Sequence, residues 1–181
     1  MAASAHLRAG DTLRARLLAE LTLAAAADGR ARAEALVLLS GVEARTGNSG
    51  EAIARRREAL REASASPALV AAVHQWLAAN VSYSEGALVR EWHARTSLEL
   101  AERLQDDTLR AGALAVLANL RFDAGEPDAV ALAEQAHELA GAVASRGEQR
   151  TSSTQLAHVL AWSYDRLDLL PSFSYAEKLI S

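Results

Sequence analysis

Cysteine is absent from this 181-residue chain, which excludes disulfide bonds and every metal or redox site that is built on thiolates. Aromatic residues are scarce, with three Trp, three Tyr and two Phe, and only three Pro are present. Because aromatic and β-branched residues favour strands, the composition excludes an all-β fold and disfavours an α/β sheet. Ten Gly and three Pro are also too few for a disordered or collagen-like chain.

Lysine occurs once, as Lys178, and no glycine stands near it. A P-loop needs a Gly-rich turn followed by Lys, so this class of nucleotide-binding ATPase is excluded. The GxGxxG, GxSxG and HExxH patterns are absent as well. Asp106 and Asp107 precede a Thr at a predicted helix start, where Asp is usually an N-cap and not a catalytic acid. We therefore expect no enzymatic activity, no catalytic residues, no metal site and no cofactor.

The charge balance and the hydropathy also exclude classes of partner. Nineteen Lys and Arg against 23 Asp and Glu give a formal net charge of −4, whereas a nucleic-acid binder usually carries a basic face. No apolar run is long enough to span a membrane, and residues 1–10 lack the apolar core of a signal peptide. We expect a cytoplasmic protein that contacts neither nucleic acid nor membrane in this region.

Alanine and leucine dominate the composition, with 42 Ala and 28 Leu, and both are strong helix formers. Gly47, Gly86 and Gly125 recur at intervals of 39 residues, and each separates two segments of helical period. The sequence therefore predicts repeated helical hairpins with a glycine turn. The predicted helical segments are 31–46, 51–64, 67–83, 87–104, 107–123 and 127–145.

Such hairpins cannot bury their apolar faces alone, so they are expected to stack. We predict one helical-repeat domain over residues 1–181, with a leading helix at 11–27 and repeats at 29–66, 67–105 and 106–146. An incomplete last repeat is predicted at 147–181, and it ends inside a helix. We therefore expect the chain to be part of a longer protein.

The segment Thr46–Ile53, followed by Glu58–Leu60, resembles the tetratricopeptide repeat, and Gly125–Ala129 resembles the same element. The period of 38–40 residues and phrases such as Leu98–Leu104 resemble the helical arrays of large LuxR-type, MalT-like bacterial transcriptional regulators. This resemblance implies an all-α, right-handed α-solenoid of stacked hairpins. HEAT-type repeats, with a period of roughly 40–47 residues, are the architectural alternative.

The chain departs from the tetratricopeptide pattern at several positions. Leu36 and Glu43 replace the usual Trp and Tyr of the first helix, and Arg56 stands where an aromatic residue is common. Members of the regulator family that the chain resembles contain three parts: an ATPase module, a helical array and a C-terminal helix-turn-helix. Only the middle part is expected here.

In arrays of this kind the first helix of each pair lines the concave face. The 39-residue register aligns Asn80 with Asn119 and Tyr83 with Phe122, whereas the first repeat offers Gly41 and Ala44, which would leave that end open. Asn side chains can bind an extended peptide or a sugar, and aromatic side chains add contact area. We predict a ligand-binding groove face made of eight residues: Trp76, Asn80, Tyr83, Asn119, Phe122, Asp123, Tyr164 and Asp165.

Structural roles compete with this interpretation. The aromatic residues of the groove face can instead fill gaps between adjacent hairpins, and the Asn side chains can face solvent or bond a neighbouring helix. Trp92 and Trp162 are assigned to the core, His74 to a packed or half-exposed position, and Arg55–Arg57 to a solvated outer face.

The predicted function is non-catalytic. The array is expected to hold a protein, a peptide or a small inducer in its groove, as the sensor or scaffold region of a bacterial transcriptional regulator. The alternative is a structural oligomerisation scaffold, unrelated to transcription, in which the end helices form a homodimer through Leu169, Leu170, Phe173, Leu179 and Ile180.

Overall fold

The structure, a computed structural model, describes residues 2–81 and 85–145. Within these ranges the chain forms eight α-helices and a short 3-10 turn, and no strand. The predicted all-α class is therefore confirmed for the described residues. The chain divides into two compact units between Val81 and Ser82.

The first unit contains five helices, each of which packs against the next along the chain. Three of them, over residues 29–45, 49–62 and 67–80, share one core, in which Leu36, Val73 and Leu77 are fully buried together with the small side chains of Ala33 and Ala59. Alanine at these contacts allows the helix axes to approach closely. The helices are α1 (Ala2–Arg8), α2 (Thr12–Ala25), α3 (Gly29–Arg45), α4 (Ser49–Glu62) and α5 (Pro67–Asn80), with the 3-10 turn at Ala63–Ala65.

The second unit contains α6 (Ala87–Leu104), α7 (Asp107–Asp123) and α8 (Ala129–Ser145). Helix α7 packs against both of the others and is the most buried element of this unit. Its central residues Leu114 and Ala115 contact Ala136 of α8. The predicted helical segments thus coincide with α3 to α8, with ends that differ by a few residues.

Aspartate side chains determine where three of the helices begin. The carboxylates of Asp11, Asp28 and Asp106 accept hydrogen bonds from backbone N–H groups three residues later, at 3.1, 2.8 and 3.0 Å. Each bond satisfies one of the unpaired N–H groups of the first turn, which contributes about 1 kcal/mol. The prediction that Asp106 is an N-cap is confirmed, and the neighbouring Asp107 pairs with Arg110 at 3.0 Å.

The glycines at the predicted turns all have positive φ angles, which glycine adopts without strain, but Gly86, with a ψ of 150°, is the N-cap of a helix and does not end one. Gly47, Gly86 and Gly125 have φ angles of 84, 88 and 74°. After α3 the N–H of Asn48 donates to the carbonyl of Glu43 at 2.9 Å, and after α7 the N–H of residue 126 donates to that of residue 121 at the same distance. The same backbone geometry therefore ends two helices that lie 78 residues apart, as a structural repeat requires.

A further hairpin at the start of the chain is absent from the sequence prediction. Gly10 has a φ of 84°, and the N–H of Asp11 donates to the carbonyl of His6 at 3.0 Å, as in the later turns. The predicted leading helix is thus α2, the second helix of a hairpin that α1 begins. Leu7 of α1 packs over Gly41, because a Cβ at Gly41 would lie 2.8 Å from the Leu7 side chain. Leu7 therefore covers the end of the predicted groove face at Gly41, whereas Ala44, the other residue expected to leave that end open, is exposed.

Two interhelical ion pairs occupy similar places in the fold, with the acidic and the basic partner exchanged between the two helices. Arg16 of α2 contacts Glu43 of α3 at 2.7 Å, and Glu91 of α6 contacts Arg121 of α7 at 3.1 Å. Glu43 and Arg121 each stand four residues before a turn glycine. Each pair thus joins a helix to the next one across a polar link and opposes sliding of one helix along the other.

Candidate functional site

Helix α5 carries the two described groove-face residues of the first unit. Trp76 is half-buried against the core of that unit, and Asn80 lies one turn later and is exposed. The Asn80 Nδ2 donates to the backbone carbonyl of Trp76 at 2.9 Å. This bond fixes the amide and leaves its oxygen and second N–H available to a ligand. His74, on the same helix, is buried as predicted, and burial lowers the pKa of its imidazole.

Helix α7 carries three further groove-face residues. The Asn119 Nδ2 donates to the carbonyl of Ala115 at 3.0 Å, which is the same local bond that Asn80 makes 39 residues earlier. Phe122 is half-buried and Asp123 is exposed. The two Asn side chains are therefore equivalent in local structure, in agreement with the 39-residue register.

The structure brings the predicted residues together in two separate groups. Trp76 and Asn80 lie together in the first unit, and Asn119, Phe122 and Asp123 lie together in the second. Tyr83, Tyr164 and Asp165 lie outside the described residues. A groove face shared by the two groups stays a prediction.

Arg56, which is not among the residues predicted for the groove face, lies beneath Trp76. Its guanidinium carbon is 4.7 Å from the centroid of the Trp76 ring, and its Nε donates to the hydroxyl of Ser40 in α3. Only 8% of Arg56 is exposed, so the prediction that Arg55–Arg57 form a solvated outer face is wrong at the central residue. Burial lowers the pKa of the Arg56 guanidinium to about 10, so the group remains charged at neutral pH.

The sequence does hold a signal for the burial of Arg56. Ala52, Arg56 and Ala59 follow one another at steps of four and three residues, which places all three on one face of α4. Both alanines are fully buried. The adjacent Arg55 and Arg57 obscured this periodicity, because a run of three Arg is typical of a solvated surface.

Glu43 forms a second buried polar cluster at the end of α3. Its carboxylate accepts hydrogen bonds from Arg16 at 2.7 Å and from the Nδ2 of Asn48 at 2.9 Å. Hydrogen bonds from Arg16 and then from Asn48 hold the pKa of this carboxyl below its usual value. The cluster connects α2, α3 and the turn before α4, and all its carboxylate oxygens are engaged within the fold. Its role is therefore structural.

Apolar surface is exposed on two other helices. Trp92 of α6 is 57% exposed, so the prediction that it belongs to the core is wrong, and Leu88 lies one turn before it. Leu13, Leu17 and Leu21 form an exposed row along α2. Trp162 lies outside the described residues.

The described residues contain no cluster of three or more acidic or His side chains that would hold a metal ion. Over the same ranges no helix combines the length and the apolar character that crossing a membrane requires. Comparisons of the chain with protein-family models, with curated proteins and with solved structures gave no match. The resemblance to tetratricopeptide arrays and to MalT-like regulators therefore stays a prediction.

Proposed function

We propose that this protein is a non-catalytic binding module: a right-handed solenoid of helical hairpins whose first helices present a shared groove to a protein, a peptide or a small ligand. The repeated turn geometry carries the proposal. Gly10, Gly47 and Gly125 adopt the same left-handed conformation with the same backbone hydrogen bond across the turn. A chain that repeats one hairpin in this way buries its apolar faces by stacking and presents equivalent residues on one side.

The side chains of α5 and α7 support a binding role for that side. Asn80 and Asn119 each use one N–H to cap a carbonyl of their own helix, which fixes the amide in place before a ligand arrives. A fixed amide loses little conformational entropy on binding, and half-buried aromatic side chains beside it supply contact area.

The regulator context rests on the resemblance alone. The 38–40-residue period and the Ala- and Arg-rich helices resemble the arrays of MalT-like regulators, so we propose a cytoplasmic bacterial sensor or scaffold region. The array would respond to an inducer or a partner by changing its curvature, and it would contact no nucleic acid itself.

A peptide selection tests the binding proposal. Peptides selected from a random phage-displayed library on the immobilised protein are synthesised, and their Kd values are measured by isothermal titration. The double variant Asn80→Ala/Asn119→Ala is expected to weaken binding at least tenfold, because two preorganised hydrogen-bonding groups are lost. Its thermal midpoint should stay within a few degrees of the wild type.

Arg61→Ala, which changes an exposed side chain of α4, is the matched control and should bind normally. A large loss of thermal stability in the Asn double variant would show that these side chains are structural. A selection that yields no peptide above background would contradict a peptide-binding function.

The exposed leucine row of α2 favours a second candidate, an oligomerisation scaffold. Leu13 is 82% exposed, and Leu17 and Leu21 follow at four-residue steps on the same face. If the scaffold proposal holds, light scattering will give a dimer mass for the wild type and a monomer mass for Leu17→Glu or for Leu170→Glu/Phe173→Glu. A monomer mass for the wild type at high concentration would exclude it.

A further inference from the structure

Arg56 places a charged guanidinium inside the first unit, where no carboxylate of the described residues pairs with it. Its partners among the described residues are the hydroxyl of Ser40 and the face of Trp76, and both are uncharged. A buried charge usually has an ionic partner, because desolvation costs several kcal/mol that neutral contacts recover only in part. Within the part of the chain that the structure describes, Arg56 therefore has no counter-charge of the kind that buried arginines normally have.

Arg56 keeps donors that no described residue engages, and part of the residue is accessible. Ser40 takes the hydrogen bond from Nε, so the four N–H groups on the two Nη atoms remain. Arg56 is 8% exposed, so a small part of the residue reaches the molecular surface although most of it is enclosed.

We propose that Arg56 and Trp76 form a subsite for a carboxylate group of the ligand, either an acidic side chain or the C-terminus of a peptide. This inference rests on the proposed binding function and assigns a chemical class to its ligand. The two Nη atoms present parallel N–H donors, which match the two oxygens of one carboxylate. Ser40 and the Trp76 ring hold the guanidinium plane in position.

The neighbouring residues fit the same ligand. Asn80 lies one turn beyond Trp76 on α5 and keeps an amide oxygen and an N–H for the backbone of a bound peptide. Glu43 of α3 does not compete for Arg56, because Arg16 and Asn48 already engage its carboxylate. The first unit therefore binds the acidic part of the ligand through Arg56 and its main chain through Asn80.

Nuclear magnetic resonance with a defined probe tests the subsite without knowledge of the natural ligand. The probe is the blocked dipeptide acetyl-Glu-Glu-amide, and the matched control is acetyl-Gln-Gln-amide. The readouts are the indole N–H signal of Trp76, assigned with Trp76→Phe, and the Nε–H signal of Arg56. We expect saturable shifts with the acidic dipeptide, weakening as salt is added, and no saturable shift with the neutral one.

Substitutions within Arg55–Arg57 test which arginine binds the acidic dipeptide. Arg56→Gln should abolish the saturable shift of Trp76, and Arg56→Lys should weaken binding by about tenfold because a single ammonium cannot replace the paired donors. Arg57→Gln changes the exposed neighbour and should bind as the wild type does. Equal responses to both dipeptides, or binding that survives in Arg56→Gln, would overturn the proposal.

Two further results distinguish a failure of the carboxylate subsite from a failure of the proposed binding function. If inorganic phosphate shifts the same signals more strongly than the acidic dipeptide does, the subsite prefers a phosphate to a carboxylate. This result would overturn the assignment. Library peptides whose affinity depends on Asn80 and Asn119 but not on Arg56 would support the binding function and refute the carboxylate subsite.

Discussion

At the scale of single residues, Arg56 and Glu43 show two ways of burying a charge. Glu43 is satisfied within the fold, since Arg16 and Asn48 donate to its carboxylate. Among the described residues Arg56 contacts only a hydroxyl and an aromatic ring, and burial depresses the pKa of its guanidinium. Removing the first charge should therefore cost stability, and removing the second should not.

Arg56→Met tests this difference. Methionine fills a similar volume, and the Ser40 hydroxyl can turn to a carbonyl of its own helix. We expect the free energy of unfolding to rise by about 1 kcal/mol, because an uncompensated charge no longer has to be desolvated. Urea denaturation measures the change, and Arg57→Met, at an exposed position, should alter it by less than about 0.5 kcal/mol. A loss of stability of more than about 2 kcal/mol in Arg56→Met would contradict this account.

The stability that Glu43 contributes should depend on pH. Hydrogen bonds lower the pKa of its carboxyl in the folded state below the reference value of 4.5. The stabilisation is then fully present above about pH 4.5 and is lost as the pH falls through the folded-state pKa. The thermal midpoint of Glu43→Gln should lie furthest below that of the wild type at neutral pH, and the gap should shrink in acid.

Thermal unfolding of both proteins at several pH values between about 3 and 7 measures this gap. His74 titrates in both proteins, so its contribution cancels in the difference. Glu34→Gln, at an exposed position on the same helix, should show a small gap that hardly changes with pH. A gap for Glu43→Gln that stays constant across the range would exclude the proposed role of the carboxylate.

At the scale of the helix and its turn, much of this fold could be predicted from the sequence. Two local signals in the sequence correspond to observed geometry. Glycines at constant intervals mark the turns with positive φ at Gly47 and Gly125, and an Asp before an apolar period marks the N-cap at Asp106. The hairpin of α1 and α2 was missed, although Gly10 precedes Gly47 by 37 residues. Helix α1 has only seven residues, too few for an apolar period to be recognised.

Gly47→Ala tests the turn geometry. An L-residue in the left-handed conformation costs roughly 1 kcal/mol or slightly more, although no atom lies within 4 Å of the added Cβ. We expect the free energy of unfolding to fall by about this amount in urea, and a similar fall for Gly125→Ala. Gly50→Ala, inside α4 and equally open, should instead raise it by about 0.5 kcal/mol. A neutral Gly47→Ala would contradict the left-handed turn.

At the scale of the whole molecule, the sequence predicts which residues are equivalent in the repeat but not where these residues lie in space. The 39-residue register aligns Asn80 with Asn119, and both make the same bond within their helices. Whether two helices stack side by side depends on contacts between residues far apart in the chain, and these contacts leave no periodic trace in a single sequence. Arg56 beneath Trp76 was missed for the same reason, because only the fold brings α4 and α5 together there.

The most direct test of the stacked array is a distance between Asn80 and Asn119. The chain contains no cysteine, so Asn80→Cys/Asn119→Cys can be spin-labelled at these two sites alone and measured by double electron–electron resonance. Since packed helices lie roughly 8–10 Å apart, a stacked array predicts one narrow distance distribution below about 25 Å, including the label arms. A distribution centred beyond about 40 Å would place the two side chains on different surfaces and contradict the shared groove.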